Sequence, residues 1–543
     1  MVSRRILGSG ITALLLAAIG PAAVAQSFRV QCPSSTTLHA TDVSQPYNGP
    51  SASAKTITRS DGTQLQVTYV DNGGGIKCQQ ISGGDGFATM GDGTPTYLFG
   101  FGPLSGLADQ VNGLPGTQLA SVFNQSNLTG GVVRADVAIG APTPDYTFNG
   151  AIGLVPDVEA NNGSGTAGAP LDGHVDPRLI MDVGVMNANM PAPLMAIDED
   201  DEFFLTLTNV GQVMRPDLFE QHTVHFHGYP NASAFYDGVP YASIAINVGG
   251  SFSYYYLAPD AGTYFWHCHI SPPEHPQMGM VGQLYVRPRQ NRVPNTTTLY
   301  QALVAQQGDL RTRCGSDFEC SSPLPAGGDN NIKGGFVDGV QTKRYTYNDG
   351  DGSTAYDVEY PIQIHGFDPN FHFVGMTFNP ESFTDLKDKY FLLNGRSYPD
   401  TVQPGTMQTQ STDGTMHSSQ PMPTIINIPV DGRALLRIAD LDVTEYQTLA
   451  SLGIPMHVVG LNARLLRDLA GNDLSYYTNS ITLAGGESID VILDATGYSA
   501  GQHFYLYTPN LDHLSNDAEN FGGLMTEVNV CHSVNPTTKA CSN

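Results

Sequence analysis

The sequence predicts an all-β chain, with two antiparallel β-sandwich or barrel units joined by loop-rich insertions. Three observations carry that prediction. Charged residues are scarce, only 14% of the 543 positions. Gly and Pro are abundant, at 60 and 36 residues. Short runs rich in Val, Ile, Thr, Tyr and Phe alternate with turn signals, which is the pattern of short paired strands. The length is enough for several domains, each burying its own core.

Residues 1–25 read as a signal peptide. Arg4 and Arg5 precede a short apolar run, and Ala23, Val24 and Ala25 form a small-residue cleavage pattern. The stretch SRRILG resembles a twin-arginine signal, with Leu7 where such signals favour Phe, so a Sec or Tat route and a periplasmic or secreted protein are expected. No later segment holds the roughly 18 consecutive apolar residues of a membrane span. Residues 26–85 form an N-terminal extension. A first β unit is expected over 86–290, with strands at DEFFLTLTNVG, HTVHFHGY, SFSYYYLAP, GTYFWHCH and GQLYVRP. Within it, Gly113 to Asp176 reads as long loops. A linker over 291–355 carries Cys314, Cys320 and the polar run YNDGDGST. A second β unit spans 356–530, with strands at TIINIPV, ALLRIADL, SIDVILDA and HFYLYTP, and 531–543 is a tail.

A formal charge of -26 argues against nucleic acid as a partner and suits a soluble exported protein. The seven cysteines are an odd number for an oxidising compartment. Proximity pairs Cys32 with Cys78, Cys314 with Cys320 and Cys531 with Cys541. Cys268 is left alone, and a free thiol in that setting needs a chemical reason.

Alternation along a strand supplies one. In GTYFWHCH, His267 and His269 point to one face and Cys268 to the other; in HTVHFHG, His225 and His227 share a face and His222 opposes them. The loop PPEHPQMGM adds His275 and Met280 on the Cys268 side. Two imidazoles, a thiolate and a weak thioether make the donor set of blue copper, and coordination keeps the thiol deprotonated and occupied. Trp266 falls on that same side as packing. On the other face, His225, His227, His267 and His269 form an all-imidazole cluster suited to copper, zinc or iron. Because Cys268 is covalently continuous with His267 and His269, electrons reaching the first metal have a short backbone route to the second. Singly, an H-x-H is surface decoration, a Met after Gly is core, and a buried Cys is inert. Together and in strand context they specify copper.

The stretches HTVHFHG, FYDGVP, NVGGSFSYYYLAPDAGTYFWHCH and EHPQMGM resemble the multicopper oxidases, a laccase-like family of cupredoxin domains. The resemblance implies cupredoxin-like Greek-key folds. It also implies a type 1 copper on His222, Cys268, His275 and Met280, a type 2 copper on His225, and a type 3 pair on His227, His267 and His269. Cys268, His267 and His269 would carry the electron transfer. YFLLNGRSYPD, RALLRIADL and AGGESIDVIL are similar to the copper-free middle domain of that family. The expected activity is one-electron oxidation of a small-molecule or metal-ion reductant, coupled to dioxygen reduction.

Two departures qualify the resemblance. The family's oxygen-reducing cluster takes eight histidines from two domains, with type 1 copper in the last one. Here the sulfur motif lies in the first unit, and the second has no H-x-H. IPMHVVGLN keeps only His457, and FYLYTPNLDH has Thr508, Pro509 and Asn510 where H-C-H would fall, so His457 and His513 read as structural. Self-association is therefore expected to supply the missing imidazoles, as two quartets about a two-fold axis or as contact with another subunit's second domain. Copper nitrite reductases are the runner-up, with His513 as the borrowed ligand, although His225 stands where they use Asp and His269 has no counterpart there. A blue-copper electron carrier or copper-binding protein is a third reading. Asp237 in YDGVP reads as a turn former or a partner to a ligand, and the Met-rich stretch 407–422 as a polar loop.

Overall fold

The computed structural model describes residues 30–49, 51–130, 132–138, 140–152, 154, 177–229, 233–258, 260–298, 301–302, 325–326, 332–371, 383–410 and 414–542. The expected signal peptide, residues 1–25, and Cys314 and Cys320 lie outside these residues.

The first unit packs two sheets face to face. Its strands are β1 (Ile76–Thr89), β2 (Pro95–Pro103), β3 (Met195–Asp198), β4 (Glu202–Gly211), β5 (His225–Phe226), β6 (Ser251–Leu257), β7 (Gly262–His267) and β8 (Val281–Arg287). One sheet runs β6-β4-β1-β2 and the other β5-β7-β8-β3. The period of two sends Phe203, Leu205 and Leu207 of β4 into the space between the sheets, where they meet Phe101, Trp266 and Leu284. Cys268 and Met280 belong to that same buried cluster. The N-terminal segment is fastened to this unit by the Cys32–Cys78 disulfide and by Arg292, whose Nη1 donates to the Gly73 carbonyl at 2.7 Å.

In the second unit the strands are β9 (Val358–Phe367), β10 (Tyr390–Leu393), β11 (Ile426–Pro429), β12 (Arg433–Asp440), β13 (Gln447–Leu452), β14 (Met456–Leu461), β15 (Ser480–Leu483), β16 (Ser488–Asp494), β17 (His503–Tyr507) and β18 (Met525–Cys531). They form the sheets β10-β9-β12-β16-β14, extended by Arg464–Leu465, and β11-β18-β17-β13-β15. Ile362, Leu436, Val458, Val491 and Val528 lie in the core between them. The second disulfide, Cys531–Cys541, closes the tail. No described helix is long and apolar enough to cross a membrane.

The fold is all-β as expected, with two differences in detail. Pairing is not purely antiparallel, because β1·β4, β3·β8, β9·β12 and β11·β18 run parallel. A parallel partner is reached through a long crossover rather than a hairpin, and between β3 and β8, as between β11 and β18, that crossover itself contains strands of the unit. The expected strand over HTVHFHGY shrinks to His225–Phe226, with His222 making only an isolated bridge to Ile246. The amides just upstream are used elsewhere. Thr223 N–H donates to the Cys268 sulfur at 3.4 Å and Val224 N–H to the Tyr254 hydroxyl at 3.1 Å.

The two units meet through buried polar contacts. Thr263 Oγ1 donates to Asp490 at 2.6 Å, Ser488 Oγ to the Thr263 carbonyl at 2.6 Å, and Gln283 Nε2 to the Arg437 carbonyl at 2.8 Å. Glu359 pairs with Arg287 at 2.7 Å and with Arg437 at 3.1 Å. Satisfied buried charges of this kind fix geometry, since losing one partner strands the other in low dielectric. The consequence for function is positional: loops of the second unit are held over the histidines of the first.

Candidate metal centres

Cys268 lies just past the end of β7. Its N–H donates to the Met280 carbonyl at 3.1 Å, and Met280 N–H donates to the His275 carbonyl at 2.9 Å, so the two segments bearing the sulfur ligands are tied to each other. His275 sits on a short helix, Glu274–Met278. The sulfur lies 3.2 Å from His275 Nδ1 and 4.0 Å from His222 Nδ1. All three residues are buried, and Met280 is fully buried beside them. Phe99 meets the His275 ring edge-on at 5.3 Å, and Phe101 meets the His222 ring at 6.5 Å. Gly83 makes room for His222, since a Cβ there would stand 2.7 Å from its Cδ2.

Burial opposes ionisation of the Cys268 thiol, but the charge of His275 and hydrogen bonds from His222 and His275 outweigh it and hold the thiol well below its ordinary range. Burial likewise opposes the His275 cation, and Cys268 and Glu220 raise it to about 10. The two shifts point the same way, toward a thiolate beside an imidazolium. A soft cation held by Nδ1, Nδ1 and Sγ would replace that proton, and the donor set fits copper. Cys268 is the free cysteine among the described residues.

The opposite face of the same tripeptide carries the quartet. Ring centroids of His225 lie 5.3 Å from His227, 5.5 Å from His267 and 5.0 Å from His269, and His267 and His269 stack at 5.4 Å. The Nε2 atoms of His227 and His267 face each other at 3.0 Å. Each ring's other nitrogen is engaged by backbone in three of the four. His225 Nδ1 donates to the Asp237 carbonyl at 2.7 Å, His267 Nδ1 donates to the Cys268 carbonyl at 2.7 Å, and His227 hydrogen-bonds the Gly486 backbone. A fixed Nδ1–H leaves Nε2 as the lone pair offered to a metal, which is how ligating histidines are oriented. Burial, then the neighbouring His225, lowers His227 to about 4, and burial with His227 lowers His267 to about 3. Both stay neutral and available at neutral pH.

The quartet opens onto a cavity of about 410 Å³ lined by His227, Phe265 and His267, and by Leu441, Glu445 and Gly486 of the second unit. Two features hold the geometry from outside the ligand set. Gly238, at φ 80°, is the position where a Cβ would meet the Val224 carbonyl at 2.0 Å, so the loop delivering the Asp237 carbonyl needs glycine. Gly486, at φ 89°, presses on the His227 ring, where a Cβ would lie 2.8 Å from Nδ1.

The structure thus brings His222, Cys268 and His275 together on one side and His225, His227 and His267 on the other, each trio within 4.8 Å by ligand atoms, with His269 packed against the second trio. His457 and His513 lie elsewhere. His457 stacks on Tyr477 at 4.4 Å and bonds Ser475; His513 is buried, stacks on Phe391 at 4.2 Å, and is held by Gln447 and Glu445 at 2.8 Å each. The Met-rich stretch forms a hairpin of Met407–Gln410 with Met416–Gln420. Sequence reasoning did not find the roles of Glu220, Gly486 or the Cys268 carbonyl. The last two act through backbone contacts and leave no side-chain signature.

The sequence profile of the multicopper oxidase family matches residues 174–291, the stretch that carries every one of these candidate ligands. Multicopper oxidase MCE of Talaromyces pinophilus is 32% identical over 120 residues, which cover 22% of this chain and 18% of that one. Laccase abr2 of Aspergillus fumigatus is 32% identical over 109 residues, covering 20% and 17%. The chain therefore matches less than a fifth of the length of these relatives. Among solved structures, multicopper oxidase mgLAC aligns over 86% of this chain and 93% of its own, with a TM-score of 0.46 at 15% identity. Residues 174–291 of the chain are therefore similar to the multicopper oxidase family, for which copper is the implied cofactor.

Proposed function

We propose that this chain is an exported multicopper oxidase that takes single electrons from a reductant at the Cys268 site and delivers them to the histidine quartet for dioxygen reduction. The observation that carries the reading is the back-to-back placement of the two donor sets on His267, Cys268 and His269. Copper, when bound, supplies the one-electron redox chemistry. The protein's part is to orient and to insulate. His222 and His275 flank the Cys268 sulfur and Met280 shares its buried cluster, a setting that limits reorganisation as the charge there changes. Cys268 is joined to both neighbouring histidines by a single peptide unit each. Backbone carbonyls fix the tautomers of His225 and His267, so their Nε2 atoms are presented without a proton. The cavity beside His227 gives a small molecule access from the side of the second unit.

Completion of the quartet falls to another subunit. Among the described residues, the side chains that this chain's second unit sets around the cavity, Leu441 to Tyr446 and Ala484, include no histidine. Phe219 at 83% exposure, Phe235 at 48% and Tyr241 at 103% lie on the segment that bears His222, His225 and His227, and exposed aromatic side chains suit association. The disulfides and the N-terminal sequence suit an oxidising compartment outside the cytoplasm. Phenols and ferrous, manganous or cuprous ions are the candidate reductants.

Oxygen uptake by copper-loaded protein with a panel of these reductants tests the reading, with molecular mass measured on the same sample. Reductant-dependent uptake by an oligomer is expected. Nitrite reduction with no oxygen uptake, or a protein that is redox-active yet turns over neither acceptor, would overturn it.

A further inference from the structure

Thr223 touches both candidate centres and belongs to neither ligand set. It is fully buried, directly after His222. Its backbone N–H donates to the Cys268 sulfur at 3.4 Å, and its side-chain Oγ1 accepts the backbone N–H of His269 at 3.0 Å. The backbone of Cys268 itself is bound by backbone or ring groups: its N–H by the Met280 carbonyl, and its carbonyl by His267 Nδ1. Of the Cys268 and His269 amides, only that of His269 depends on a side chain, and so only that one can be released by substitution.

Two physical consequences follow from this double contact. A hydrogen bond to a thiolate sulfur withdraws charge from it, and contacts of that kind tune the potential of a sulfur-bound copper. The hydroxyl meanwhile pins the backbone that carries the His269 imidazole. The N–H and the hydroxyl sit on the same rigid β-branched residue, so the position of His269 and the length of the N–H···S contact are linked through one set of covalent bonds.

We propose that Thr223 is a positioning residue that couples the two centres, its hydroxyl holding His269 in register while its N–H polarises the Cys268 sulfur. This rests on the copper reading above. Thr223→Val keeps the volume and removes the acceptor, so the His269 segment is released and the N–H···S contact lengthens. Thr223→Ser keeps the acceptor.

The experiment compares copper-loaded wild type, Thr223→Val and Thr223→Ser by electron paramagnetic resonance, visible spectroscopy, potentiometry and stopped-flow reoxidation. In Thr223→Val the sulfur–copper band and hyperfine splitting shift, the potential falls, and transfer from the sulfur site to the quartet slows roughly ten- to a hundredfold, at unchanged KM for the reductant. Thr223→Ser returns all of these to wild-type values. A Thr223→Val protein with the wild-type spectrum, potential and transfer rate overturns the proposal. Should Thr223→Val fail to fold, pulsed resonance on wild type grown with ¹⁵N-threonine decides the matter: a ¹⁵N coupling at the sulfur-bound copper is expected, and its absence overturns the coupling. Wild type with no sulfur-bound copper signal refutes the copper reading itself, a result distinct from either of these.

Discussion

The sulfur pocket and the imidazole quartet share three consecutive residues yet are built in opposite ways. His222, Cys268, His275 and Met280 are all buried and are supplied entirely by the first unit. The quartet is half-open, faces a cavity of about 410 Å³, and borrows the Gly486 backbone from the second unit. A one-electron site benefits from a sealed, rigid shell that holds ligand positions as charge changes, whereas a site that must admit a small molecule and protons needs an opening. The difference teaches that a single strand end can serve both demands when its alternating side chains enter two different environments.

The strongest way to break the comparison is to remove the shared sulfur. Cys268→Ser should abolish the sulfur-to-copper charge-transfer band and reductant oxidation, while metal analysis still finds copper on the quartet. Next in size is His267→Ala, which removes a quartet ligand. It should leave the blue band in place, end oxygen uptake, and lower quartet copper affinity by more than the roughly 10–100-fold typical of losing an outer partner, as competition with a chelator would measure.

Gly486→Ala separates the two environments more finely. The new Cβ would press on His227 from the second unit at a backbone φ that favours glycine, so quartet affinity should fall about tenfold with the blue band unchanged. Gly83→Ala is the mirror test. It crowds His222 and should shift the blue band and cost about 1–3 kcal/mol of stability in denaturant unfolding, with quartet affinity retained.

The smallest effect concerns pH in the metal-free protein. His227 and His267 are lowered to about 4 and about 3, so below an unfolded value near 6.5 the unfolded chain binds protons that the folded chain does not. Stability should therefore fall as pH drops from about 6.5 toward 4, and His267→Ala should flatten that slope in thermal melts.

Much of this contrast was legible in the sequence, for a physical reason. The period of two along GTYFWHCH assigns Cys268 and the two flanking histidines to opposite faces before any tertiary contact is known. The same rule overextended the strand at HTVHFHG, because it counts side chains and does not see where amides go; those of Thr223 and Val224 bond a sulfur and a tyrosine hydroxyl. The roof of the quartet was not legible. Gly486 and Leu441 lie far along the chain from His227 and contribute a backbone contact and shape, which no local pattern encodes. The parallel strand pairs escaped for a similar reason, since register across a long crossover is fixed only when both units close.

The most direct test of the central claim is copper quantitation and electron paramagnetic resonance on one sample of copper-loaded protein. Two donor sets back to back predict more than one copper per chain, with a sulfur-bound blue signal present together with copper that lacks it. A single copper per chain, or a loaded protein with no sulfur-bound signal, would contradict the account.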